Sequence, residues 1–162
     1  MRRELLPLFG VCVTLAGCAT APESRLPFMG SSFPAEALIT QRAVLSVPGR
    51  QFTLDGYLAR SETRGLRLIV SETFGGVLAD VLVKPDGTVQ VMRSSRVFKP
   101  EWIRRFVAAD LKCVFGNEPG EDCPGRQLSP THVKIERRWY RLDLRILEIQ
   151  PGPQPAELFG EQ

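Results

Sequence analysis

Over most of residues 34–150, apolar and polar positions alternate with a period of two. Phe52, Leu54, Gly56 and Leu58 fall on one side, and Thr53, Asp55, Tyr57 and Ala59 on the other. Successive side chains of a strand point to opposite faces, so this is the pattern of a half-buried strand. Leu66, Leu68 and Val70 alternate in the same way with Arg67, Ile69 and Ser71, and Val77–Val83 is a nearly continuous apolar run broken by Asp80. Turn chemistry sits between these runs. Val47-Pro48-Gly49-Arg50 joins a strand at Ala43–Val47 to one at Gln51–Ala59, and Lys84-Pro85-Asp86-Gly87 makes residues 77–93 a hairpin continuing through Val89 and Val91. Later, Val133 and Ile135 keep one phase, and Tyr140, Leu142, Leu144 and Ile146 the other. That change of phase predicts a bulge or tight turn across Arg137–Trp139.

One segment departs from period two. Pro100 suits the first position of a helix and Glu101 its positive end, after which Trp102, Ile103, Phe106, Val107 and Leu111 recur at helical spacing. Arg104, Arg105 and Asp110 fall on other faces. The spacing predicts an amphipathic helix of about 12 residues ending near Cys113 or Gly116. The expected fold is therefore mainly β with one principal helix. About seven antiparallel strands form a curved sheet or half-barrel, and the helix lies across its concave face.

The N-terminus follows a different logic. Arg2 and Arg3 precede an apolar stretch from Leu5 to Leu15, too short for a bilayer span, which takes about 20 residues, but long enough for a signal peptide. Leu15-Ala16-Gly17-Cys18 resembles the bacterial lipobox, whose cysteine is diacylated and begins the mature chain. Residues 1–17 are then a signal peptide, and residues 18–33 a lipidated cysteine and tether containing Pro22, Pro27, Gly30, Ser31 and Ser32. Residues 34–150 make one β-rich domain, and residues 151–162, rich in proline, a flexible tail. The competing reading is an ordinary signal peptide with an incidental cysteine, or a buried N-terminal helix. Ala19 stands where inner-membrane retention signals carry Asp, so the expected location is the periplasmic side of the outer membrane.

This address reinterprets the four cysteines. Cys12 leaves with the signal and Cys18 takes lipid, so Cys113 and Cys123 remain in an oxidising compartment, where they are expected to pair. Such a bridge is worth up to about 3 kcal/mol. A redox or metal pair is the weaker alternative, because nine residues separate the two cysteines and no second pair exists. Charge adds an exclusion. The chain carries 21 basic and 18 acidic side chains, and cleavage before Cys18 removes two of the former and one of the latter, which argues against a nucleic-acid binder.

Catalytic chemistry is hard to find. His132 is the only histidine, no G-x-S-x-G elbow exists, and Gly75-Gly76 lacks the spacing of a phosphate loop and reads as a tight turn or bulge. Asp86 is explained by its turn and Asp80 by an outward strand position, leaving no evident carboxylate pair with Glu72. Lys134, Arg137, Arg138, Arg141 and Arg145 form the most basic run, read as a solvated side with some attraction for anionic headgroups. No enzyme, metal or cofactor is expected. The apolar residues are more suggestive: Trp102, Ile103, Phe106 and Val107 on the helix, with Leu54 and Val81 from the sheet, make either plain core or the lining of an apolar-ligand cavity.

The lipobox, the strand meander over Val44–Val91 and the helix that follows resemble a family of outer-membrane lipoproteins found with aryl-polyene biosynthesis genes. That family is similar in architecture to the lipoprotein localisation factors LolA and LolB. The matching segment is Thr73-Phe74-Gly75-Gly76-Val77-Leu78 running on to Asp86-Gly87; the Cys113/Cys123 pair and a slightly late Asp-Gly turn depart from the family pattern. In LolB a protruding apolar loop residue inserts into membrane, and Leu78 is the residue to compare with it, although the alignment does not transfer the role. The resemblance implies a half-closed sheet that binds or hands over a lipophilic molecule (an acyl lipid, a polyene or a lipoprotein) at the membrane that holds the acyl chains. The alternative is a non-catalytic structural, accessory or inhibitory lipoprotein with a solid core, partnered by an envelope protein.

Overall fold

A computed structural model describes residues 29–73, 75–116 and 123–160. The expected signal peptide, Cys18 and most of the expected tether lie outside these residues. A short 3-10 turn at Met29–Ser32 leads into β1 (Glu36–Val47), β2 (Arg50–Ser61), β3 (Gly65–Glu72), β4 (Val77–Val83) and β5 (Val89–Ser94). The helix α1 follows in three joined parts, α-helical Pro100–Trp102, a π-helical turn at Ile103–Val107, and α-helical Ala108–Phe115. Then come β6 (Gly125–Ser129), β7 (His132–Arg137), β8 (Tyr140–Pro151) and a 3-10 turn at Ala156–Phe159.

All eight strands form one antiparallel sheet in the order β5-β4-β3-β2-β1-β8-β7-β6, with β5 and β6 as open edges. The mainly β fold with one helix is as the pattern predicts. The additional strand is β6, missed because Gly125–Ser129 has no apolar face to show as an edge strand. The phase change before Tyr140 is a tight turn, with Arg137 paired to Tyr140 across Arg138 and Trp139.

Side chains on one face of the sheet pack under α1. A row of wholly buried residues, Ile39, Leu58 and Val81 with Leu68 between the last two, runs across the middle strands and anchors this core. Phe33 joins it by packing on Phe115, ring centroids 5.4 Å apart, so the end of the tether belongs to the domain. Buried Arg60 secures that entry by donating from Nη1 to the carbonyls of Phe33 and Pro34 at 2.6 and 2.7 Å.

The tail departs from expectation. Rather than fraying, residues 152–160 lie over the opposite face, where Phe159 and Leu158 cover Ala59, Leu82 and Leu38. Arg67 donates to the Leu158 carbonyl at 2.6 Å and Arg64 to that of Gln154 at 3.0 Å. Its proline content suggested disorder, but one buried aromatic anchor, worth about 1.5–3 kcal/mol, and side-chain donors for its carbonyls offset the ordering cost.

Two turn glycines allow a direct test. Gly65 has φ +104° and a Cβ there would lie 2.1 Å from the Val83 carbonyl oxygen, whereas Gly49 has φ +75° with nothing within 4 Å. Gly49→Ala should cost about 1 kcal/mol of conformational strain, and Gly65→Ala about 3 kcal/mol or more because a backbone clash adds to it. Urea unfolding of both variants measures the difference, and equal losses would contradict this account.

Candidate functional site

The space between sheet and helix is not completely filled. A cavity of about 80 Å³ lies there, walled on the helix side by Phe98, Trp102, Val107 and Leu111. Its origin is visible in the register. Gln41, Gly56, Val70 and Ala79 stand side by side on β1, β2, β3 and β4, and two of the four have almost no side chain. Ala43 in the next row adds a third small residue. The helix lies over this depression without dropping into it.

Three ties hold α1 at that position. Asp110 is buried; its Oδ1 accepts from Arg137 Nε at 2.9 Å and lies 2.8 Å from Nη2, while Oδ2 accepts from the Tyr140 hydroxyl. Cys113 is disulfide-bonded to Cys123, joining the helix to the approach to β6, with Cα atoms 5.4 Å apart. Lys112 donates to the Gly87 carbonyl at 3.1 Å, reaching the β4–β5 turn.

Of the six apolar residues proposed from the sequence, Trp102, Val107 and Leu54 line the cavity. Ile103 and Val81 lie in the surrounding core with no exposed surface. Phe106 stacks beside it, 5.8 Å from both Trp102 and Tyr140. Asp110, read from the spacing as lying off the apolar side, is instead buried. Its spacing already points inward, since Asp110 follows Ile103 by seven residues and Phe106 by four, and both intervals keep residues on one helix face.

The polar residues of the site escaped the sequence reading altogether. Gln41 is only 5% exposed, and its side chain lies across Gly56, where a Cβ would come within 2.9 Å of Gln41 Cγ and Nε2. Its Oε1 is buried without a hydrogen-bond partner among the described residues. An unmade bond of this kind costs about 1–3 kcal/mol. The one available signal was a polar residue in the inward phase of β1, among Ala37, Ile39, Ala43 and Leu45.

The remaining candidates have structural partners. Asp80 takes a two-point pair from Arg67, at 2.9 and 2.7 Å, and Asp86 accepts from the Thr88 amide in its own turn. Half-buried His132 meets Asp143 at 2.8 Å on the face opposite α1. Leu78 is buried in β4, so it does not protrude as a membrane-inserting residue would. The most exposed aromatic among the described residues is Trp139, 61% exposed at the β7–β8 turn with the Arg138 guanidinium 4.9 Å from its ring centre. Among the described residues no group of three His, Cys, Asp or Glu side chains is placed to hold a metal, and no helix is long and apolar enough to cross a membrane. No protein-family model matches the chain, and none of the curated proteins is significantly similar to it.

Two measurements test the helix clamp. Asp110→Ala removes the buried carboxylate that both Arg137 and Tyr140 bond to, and should cost about 3–5 kcal/mol in urea unfolding. Burial, and then the Asp110 carboxylate beside it, hold the Tyr140 phenol well above its ordinary value of 10.0. Below that value both folded and unfolded chains keep the proton and the contribution of Tyr140 is intact. Above it the unfolded chain ionises first, so stability falls as pH rises. Between about pH 9 and about pH 11 the native protein should therefore lose about 1 kcal/mol more than Tyr140→Phe; parallel losses would refute the assignment.

Proposed function

We propose that this protein is a lipid-anchored, non-enzymatic lipoprotein that binds or transfers a lipophilic molecule at the outer membrane, using the cavity under α1. The observation that carries the reading is the cavity itself: its walls are almost wholly apolar, and it lies where small side chains in the sheet meet a helix held from above. Pockets of this kind take apolar ligands because transfer out of water is favourable and few polar groups must be matched. In this reading the sheet curves around the helix as in LolA and LolB, and Cys18 carries the acyl anchor. The exposed Trp139–Arg138 pair suits the headgroup region, where an aromatic ring and a cation are both accommodated.

An accessory subunit of an envelope complex is the second reading. It is favoured by Tyr57 and Leu147, both at least half exposed on the two strands flanking β1. A stoichiometric partner captured by the native chain and lost with Tyr57→Asp would support it over the first.

A Cys18→Ser form should move from the membrane fraction to the soluble one, and native mass spectrometry of it should reveal co-purified lipid. An apolar fluorescent dye should bind it, and Ala79→Phe, which projects a ring into the void, should weaken that binding about tenfold, equivalent to about 1.4 kcal/mol. If neither lipid nor dye binds the Cys18→Ser protein, the carrier reading is wrong.

A further inference from the structure

We infer that the cavity selects a lipophile carrying a hydroxyl group at the end of its chain, and that Gln41 is the residue that reads it. The inference rests on the carrier reading and goes further by specifying ligand chemistry. Gln41 is the polar group of the cavity left wanting: Asp110 and Tyr140 satisfy each other, whereas Gln41 Oε1 is buried with no hydrogen-bond partner among the described residues. Gly56 makes room for this, since any Cβ there would collide with the Gln41 side chain. At about 80 Å³ the void is several times the roughly 10–15 Å³ that one water needs on the same scale, so the site has room for a larger group beside Gln41.

Position specifies where on the ligand the hydroxyl must be. On one side of the Gln41 row the core is closed by Ile39, Leu58 and Val81, none with any exposed surface. Toward the other end of β1 the walls include Trp102, Val107 and Leu142, each partly exposed. Leu45, at that end, is four residues from Gln41, roughly 13 Å along a strand. A chain entering there meets Gln41 with its leading end, and a terminal hydroxyl donates to Oε1. A plain methyl terminus leaves that acceptor unpaired.

Lauric acid and its ω-hydroxy derivative form the matched pair of probes, titrated into the Cys18→Ser protein by calorimetry. The native pocket should bind the ω-hydroxy acid about five- to tenfold more tightly, and Gln41→Met, similar in volume but without the amide, should abolish that preference while retaining lauric acid. Gly56→Ala, which displaces Gln41 without removing it, should reduce the preference as well. The comparison on the unmutated pocket stands even if a variant fails to fold. Equal affinity for the two acids overturns the inference and leaves the carrier reading intact; binding of neither acid overturns the inference, and dye and lipid binding then decide the carrier reading separately.

Discussion

A buried carboxylate governs how the helix lies. Asp110 is buried, and a charge there is tolerable only if both its oxygens are paired. Arg137 and Tyr140, which supply those bonds, face each other across the turn between β7 and β8. That requirement fixes α1 laterally over one half of the sheet. The disulfide to Cys123 and the Lys112 bond to the β4–β5 turn fix it at its C-terminal end. A helix tied at these points cannot sink to fill a local depression, so the space above Gly56 and Ala79 persists. The cavity is a consequence of polar bonds holding apart surfaces that hydrophobic packing alone would bring together.

The same economy explains the other face. One helix can bury only one side of an eight-stranded sheet, and the far side carries Leu38, Ala59 and Leu82 among charged neighbours. The C-terminal segment covers these three with Phe159 and Leu158, and polar pairs surround them: the ion pairs of Arg42 with Asp55 and Arg67 with Asp80, and the hydrogen bond between His132 and Asp143. Exposed pairs such as Arg42–Asp55 contribute little to stability. Arg67 is different, because it binds Asp80 and the tail carbonyls together and so couples the strap to the sheet.

Legibility in the sequence followed the strength of the local signal. Alternation in β2, β3 and β8 was clear because each buries one face, and the turns at Gly49 and Gly87 announced themselves through glycines that take positive φ. The edge strand β6 gave no such signal, since its pairing is made by backbone groups whatever the side chains. In the site, Trp102, Val107 and Leu54 were legible as inward apolar positions. Asp110 falls seven residues after Ile103 and four after Phe106, on the apolar face, and only its charge argued for the solvated side; Arg137 likewise read as one cation in a solvated run although it turns inward to Asp110.

By itself, then, the amino-acid sequence determined the helix and every strand but β6, the mainly β class and the pairing of Cys113 with Cys123. These follow from periodicity, turn chemistry and the small number of cysteines left to pair. Only the tertiary structure decided that Gln41, Gly56, Val70 and Ala79 stand in one row, that Phe159 returns to cover the outer face, and that the helix leaves a void. Register across strands and the height of a helix are set by contacts between residues far apart in the chain, and no local pattern encodes them.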